Sequence, residues 1–135
     1  MSLQLGIQQF NSREFYQCHD TLEEIWIEAP EMDKRFYQGV LQVAVACHHL
    51  SNHNQRGAII LLGEAIRRLN DYQPDYYGVD VSELMTQSIN LLQALQLLEE
   101  AKLEQFVQEI FTKGKTNIST EESVSLPEIA LVEHP

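Results

Sequence analysis

The segment from Phe36 to Cys47 constrains the fold of this 135-residue chain more than any other feature. It reads Phe-Tyr-Gln-Gly-Val-Leu-Gln-Val-Ala-Val-Ala-Cys, and at ~100° per residue its apolar side chains cover nearly every side of a helix. A helix of this kind is stable in water only when other helices surround it. We therefore predict a buried central helix from Asp33 to about Leu50, in a single-domain, all-α, irregular bundle of about five helices.

The sequence on either side supplies helices that can surround this segment. Apolar residues recur there at helical spacing, and cap or breaker residues such as Asn11, Pro30 and Asn54 separate the stretches. Asp80 and Glu83 resemble a capping box at the start of a leucine-rich helix. Besides the central helix, the predicted helices cover about residues 3–10, 13–27, 55–72 and 80–102, and a shorter helix over about 103–112 follows or continues the last of these.

The helical pattern stops near Lys113. Gly114 opens a run of turn-forming and polar residues, after which residues 126–132 are apolar again. We predict a helical domain over residues 1–113 and an extended or flexible tail over residues 114–135. The apolar end of this tail either docks on the body or on a partner, or it is a frayed terminus.

Charge and hydropathy exclude several classes of partner. The chain has 9 Lys and Arg against 20 Asp and Glu, a net charge of −11 that repels phosphate backbones and anionic lipids. No apolar run approaches the ~18 to 20 residues that span a bilayer. The start lacks a secretory signal, and the cysteines, Cys18 and Cys47, are too few for a disulfide scaffold. We expect a cytoplasmic protein with neither nucleic acid nor membrane as a partner.

The predicted helix from 13 to 27 carries the residues with chemical potential. Helical geometry places a histidine inside its apolar face, which comprises Phe15, Cys18, His19, Leu22, Ile25 and Trp26. Glu23 follows His19 by one turn and is within reach of the imidazole. A histidine and a carboxylate therefore lie beside a large indole, in a face that another element must cover.

Two interpretations of this constellation remain open. In the structural one, Glu23 accepts a hydrogen bond from His19, and the pair is buried because each satisfies the other. In the functional one, the pair binds a divalent metal or transfers protons in a pocket. The other half of that pocket is a stripe on the central helix that carries Gln38, Gln42 and His49, with His49 as a weaker third metal ligand.

His19, Glu23 and Trp26 form the pattern His-x-x-x-Glu-x-x-Trp, which resembles the signature of the bacterial and archaeal proteins called domain of unknown function 309. The run from Arg35 to His49 is also similar to that family. Asn54 to Ala58 looks like the family's Gly-Asn-x-x-Gly-Ala, but His53 stands where a glycine is usual. The resemblance covers about residues 10 to 70. It implies an all-helical fold and a metal at the histidine and glutamate, but no established activity.

The leading hypothesis is thus a metal- or small-ligand-binding pocket around His19, Glu23 and Trp26. The alternative is a non-catalytic interaction module or homodimer, in which the motif is a structural buried polar pair. Whether the protein is an enzyme is left open, and the sequence names no substrate.

Overall fold

The structure, a computed structural model, describes residues 2–133 and is mostly helical, as the periodicity predicted. Its α-helices are α1 (Leu3–Asn11), α2 (Phe15–Glu28), α3 (Glu31–Ser51), α4 (Gln55–Leu69), α5 (Val81–Leu97) and α6 (Leu103–Lys113). Short 3-10 turns at Asn70–Tyr72 and Glu100–Lys102 follow α4 and precede α6. Within these residues no helix combines the length and the apolar character that crossing a membrane requires.

Two antiparallel strand pairs correct the prediction of a purely α fold. β1 (Asp75–Tyr76) pairs with β2 (Val79–Asp80), and β3 (Lys115–Asn117) pairs with β4 (Ser123–Ser125). Each strand has two or three residues, too few to show the alternation by which a strand is recognised in a sequence. The count of about five helices is corrected as well, because residues 2–133 form six.

α3 is the central element that the apolar segment predicted. It packs against α2 and α4, and its interior side chains, such as Phe36 and Cys47, have no exposed surface. The helix begins at Glu31 rather than Asp33, because Pro30 is the N-cap and its carbonyl accepts the Asp33 N–H at 2.9 Å. Asp33 therefore lies in the first turn, and its side chain is buried.

The segment after α6 is extended and lies on the helical body as far as residue 133, where the described part ends. Leu126 and Ile129 are buried. The Asn11 side-chain amide donates to the Ile129 carbonyl (2.9 Å), and its oxygen accepts from the Ile129 N–H (2.8 Å). Gln87 Oε1 accepts the Glu128 N–H at 2.8 Å. The side-chain amides of Asn11 and Gln87 thus form hydrogen bonds with the backbone of the segment, as a neighbouring strand would. These bonds hold the segment on the helical body.

Gly39 is required where α3 packs against α4. A Cβ at this position would lie 2.7 Å from Cγ of Leu69, a side chain with no exposed surface. Gly63, on α4, is the natural comparison, because a Cβ there would meet nothing within 4 Å.

We predict that Gly39→Ala destabilises the protein and that Gly63→Ala stabilises it. Overpacking costs about 1–3 kcal/mol, which exceeds the helix-propensity gain at residue 39. At residue 63 that gain, about 0.5–1 kcal/mol, acts alone. Urea unfolding of both variants measures the difference, and shifts of the same sign would contradict the packing described here.

Candidate functional site

The motif residues His19 and Glu23 form the pair that their spacing predicted. His19 Nε2 lies 3.0 Å from Glu23 Oε2, and Nδ1 lies 3.4 Å from Asp20 Oδ1. The side chains of His19 and Glu23 are 30% and 49% exposed. His19 therefore lies at the rim of the buried face of α2 and not inside it. Because water reaches both groups, the pair is a surface contact rather than a buried core element.

Tyr16 lies between this pair and α3. Its ring centroid is 6.2 Å from that of His19 and 5.4 Å from that of His48, and its side chain is exposed. The histidine of α3 that comes near α2 is therefore His48, through Tyr16.

Trp26 connects the C-terminal end of α2 to the first turns of α3. The Lys34 ammonium lies 5.4 Å from the centroid of the indole and donates to the Ile27 carbonyl at 3.3 Å. Among the described residues the buried Trp26 Nε1 has no hydrogen-bond partner. The cation–π contact and the bond to Ile27 are two contacts of Lys34 that join the end of α2 to the start of α3.

The polar stripe of α3 finds its partners on α4 instead of α2. Gln42 Nε2 donates to Glu64 Oε2 at 3.1 Å, and Arg68 donates to Gln42 Oε1 at 3.2 Å. Gln42 is ~120° around the helix from His48, so it cannot also face α2. His49 Nδ1 lies 3.3 Å from Asn54 Nδ2, at the end of the helix.

The structure therefore does not assemble the pocket in which Gln42 and His49 were expected to meet His19 and Glu23. Gln38 is half-buried on the same side of α3 as Gln42. The reason is geometric, since α2 and α4 occupy different edges of the central helix. The sequence revealed that Gln42 needs a partner, but not on which edge it would find one.

A resident metal does not fit the residues present. Donor atoms 3.0 Å apart, as in His19 and Glu23, can share one ion with bonds of ~2.1 Å. Metal sites in proteins, however, take about three or four protein ligands. No group of three or more His, Cys, Asp or Glu in residues 2–133 is arranged to hold an ion.

The cysteines are unsuitable as additional ligands. Cys18 and Cys47 are free and buried, and the Cys18 thiol donates to the Gly6 carbonyl at 3.3 Å. Burial raises the pKa of each thiol to about 12. Both therefore remain protonated at neutral pH, whereas a metal binds the thiolate.

A cleft of about 630 Å³, which we call the α2–α3 cleft, lies beside the turn that joins these helices. Its lining includes Glu24, Ile27, Glu28, Asp33, Tyr37 and Tyr77. Sequence reasoning missed this site. In the sequence Asp33 marked only the predicted start of the central helix, and Tyr37 belonged to its apolar segment.

The buried Asp33 connects the wall of the cleft to the β1–β2 turn. Its carboxylate oxygens accept hydrogen bonds from the hydroxyls of Tyr76 and Tyr77. Tyr77 has a φ of 48°, and Gly78 follows it with a φ of 81°, so the chain makes a left-handed turn here. Next to this turn the phenols of Tyr76 and Tyr77 both reach the Asp33 carboxylate. The rings of Tyr37 and Tyr77 stack with centroids 6.2 Å apart and planes at 22°.

Asp33 also controls the ionisation of these phenols. The hydrogen bonds to its carboxylate, followed by burial and its negative charge, raise the pKa of Tyr76 and Tyr77 to about 12. Burial and the Asp33 charge likewise raise the pKa of Tyr37. The three phenols therefore stay neutral at physiological pH.

The fold and its motif define a class: a small, mostly helical domain with an exposed His-x-x-x-Glu pair on its second helix. Residues 3–61 match the model of the family described as domain of unknown function 309, the family that the motif resembled. The matched segment runs from α1 into α4 and includes every lining residue of the α2–α3 cleft named above except Tyr77.

Two relatives carry no functional name. Uncharacterized protein YpuF of Bacillus subtilis (strain 168) is 41% identical over 59 residues, 43% of this chain and 34% of that protein. An uncharacterized protein of Aquifex aeolicus (strain VF5) is 25% identical over 76 residues, 56% of this chain and 23% of that protein. The matched part of the chain thus spans about a third and about a quarter of their lengths.

The turn between α3 and α4 explains one feature of the family pattern. His53 has a φ of 62°, a conformation that favours the glycine usual at this place. Asn54 Oδ1 accepts the Gly57 N–H at 2.9 Å and caps α4, and a Cβ on Gly57 would lie 2.5 Å from Asn54 Nδ2. His53 therefore takes the left-handed conformation at this turn despite its side chain.

We predict that the two halves of the expected pocket differ in their contribution to stability. Glu23→Gln should lower the free energy of unfolding by less than about 1 kcal/mol, because the ion pair is solvent-exposed. Gln42→Ala should cost about 1–3 kcal/mol, because Glu64 and Arg68 lose a buried partner. Urea unfolding measures both, and a Glu23 variant that fails to fold would restore the structural interpretation of the motif.

We also predict that Asp33→Asn lowers the pKa of Tyr76 and Tyr77 from about 12 towards the ordinary value of 10. The sign follows from linkage: the bonds to Asp33 stabilise the fold fully below pH 10, and this contribution is lost as the pH rises towards 12. The ultraviolet absorbance of tyrosinate during an alkaline titration reports the change. Asp71→Asn, at an exposed carboxylate in the preceding 3-10 turn, is the control and should leave the titration unaltered.

Proposed function

We propose that this domain is a binding module for a small organic cation, an ammonium or guanidinium compound, which occupies the α2–α3 cleft. The observation that carries the proposal is the composition of the cleft, in which three carboxylates and two tyrosine rings share one concave surface. This keeps the small-ligand part of the sequence hypothesis. The proposed site, however, lies at the C-terminal end of α2 and not at His19, where the sequence hypothesis had placed it.

The carboxylates supply the charge. Glu24 and Glu28 are one turn apart on α2 and exposed, and Asp33 is buried behind them at the start of α3. An exposed carboxylate attracts a cation weakly because water screens it, whereas a buried one acts over a larger distance. Asp33 therefore sets the potential of the cleft, and the two glutamates add to it at the mouth.

The tyrosines supply the selectivity for an organic cation over a hydrated inorganic one. The face of an aromatic ring attracts a cation, but the cation must lose part of its hydration shell to reach it. This desolvation costs less for a weakly hydrated ammonium or guanidinium group than for a hydrated inorganic ion. The Tyr77 hydroxyl donates a hydrogen bond to Asp33. This bond increases the electron density of the Tyr77 ring, which makes the ring a better partner for a cation. Tyr37 and Tyr77 are neutral at physiological pH, as tyrosines ordinarily are, and their surroundings raise the pKa of each phenol further.

The rim of the cleft is apolar and open to solvent. Ile27 and Tyr77 are 58% and 57% exposed, and Met32, near the same turn, is 75% exposed. Large exposed apolar side chains grouped at one place mark binding surfaces. The same rim favours the alternative, a homodimer through this face, which would show as a mass that rises with protein concentration.

The test is calorimetric titration of the purified chain with tetramethylammonium, against tert-butanol as a neutral molecule of similar shape. We predict saturable binding of the cation alone. The double variant Glu24→Gln, Glu28→Gln should weaken binding, and Tyr37→Leu should weaken it by roughly 5- to 30-fold, the range expected from a cation–π contact.

The control is the double variant Glu100→Gln, Glu104→Gln, which changes the net charge by the same amount at exposed carboxylates near the start of α6. It should bind as the native protein does. Equal binding of tert-butanol, or equal losses in the two double variants, would contradict the proposal. A loss of cation binding only when the protein dimerises would favour the alternative.

A further inference from the structure

A second cleft has the opposite electrostatic character. Its volume is about 530 Å³, and α5, the turn from α6 to β3, β4 and the turn from α1 to α2 enclose it. Arg13, Lys113 and Lys115 line this basic cleft. They are three of the nine Lys and Arg in a chain of net charge −11, and against Glu83 and Glu128 they leave the lining with an excess of one positive charge.

We propose that the basic cleft binds a small molecule through a phosphate group. This site is independent of the α2–α3 cleft, with which it shares no lining residue. Arginine binds oxyanions through a fork of N–H donors, and lysine supplies a mobile point charge. Both types converge here from different segments, and the volume lies in the range of small-molecule sites.

The backbone holds the three cations together. Gly114 separates the two lysines and has a φ of 81°, and a Cβ on it would lie 2.6 Å from Nη2 of Arg13. The absence of a side chain therefore lets the guanidinium pack against the turn. Arg13, itself at a φ of 64°, donates from Nη1 to the Phe111 carbonyl at 3.2 Å. This anchors the group and leaves its other N–H donors for a ligand.

Neutral donors around the cations favour phosphate over carboxylate. Asn90, Ser123 and Ser125 also line the cleft, so donors surround the space on several sides. A tetrahedral phosphate accepts from several directions, whereas a carboxylate accepts in one plane. Glu83 and Glu128 lie in the same lining and limit the excess of positive charge. The charge of the basic cleft therefore suits a single phosphate group better than a polyanion such as nucleic acid.

The test is an NMR titration of the uniformly ¹⁵N-labelled full chain with inorganic phosphate, in a phosphate-free buffer at constant ionic strength. We predict saturable shifts at the amides of residues 113–115, and acetate should not produce them. Lys115→Gln should weaken the binding by about tenfold, the loss expected for one charge-assisted hydrogen bond. Lys113→Gln keeps the proposal testable if the first variant folds poorly.

The control is Lys102→Gln, which removes the same charge from a different cleft. It should bind phosphate as the native chain does. Equal weakening in the Lys102 and Lys115 variants, or shifts that do not saturate, would overturn the proposal. Sedimentation of the protein with vesicles that contain phosphatidic acid, without saturable binding of free phosphate, would overturn the small-molecule assignment in favour of a lipid headgroup.

Discussion

The packing of the apolar helix α3 between α2 and α4 is the constraint on which the rest of this structure depends. The middle of α3, from Gly39 to Cys47, has Gln42 as its one polar side chain and cannot present a wide surface to water, so its neighbours must cover most of it. Once α2 and α4 take their places, the polar residues of α3 find partners only along the edges that remain open to them. Gln42 joins Glu64 and Arg68 of α4, and Asp33 lies at the start of α3, where the β1–β2 turn reaches it.

The parts of the structure that the sequence predicted depend on local geometry. The contact between His19 and Glu23 follows from a separation of four residues in a helix, which places both groups on one face whatever surrounds them. The central position of α3 follows from its composition for the same reason. These inferences need only the repeat of the helix and the preference of apolar groups for the interior.

The partner of a polar residue across the core was beyond the sequence, because it depends on which edge of a helix each neighbour takes. Gln42 and its partners on α4 are 22 and 26 residues apart, and Asp33 and Tyr76 are 43 residues apart. A usable signal was present: Asp33 falls on the apolar side of a helix, where a carboxylate needs donors. The adjacent Tyr76 and Tyr77, in a turn with Gly78, are suitable donors.

The place of the motif in the fold suggests why a histidine, a glutamate and a tryptophan occur together on α2 without forming an enclosed pocket. The ion pair lies at the exposed rim, where it contributes little to stability, while Trp26 receives Lys34 and fixes the start of α3. Asp33 is the residue immediately before Lys34, but Tyr76 and Tyr77 of the β1–β2 segment hold its carboxylate. The motif and the α2–α3 cleft therefore meet at the turn between these helices through two consecutive residues, Asp33 and Lys34, although the indole is not among the residues that line the cleft.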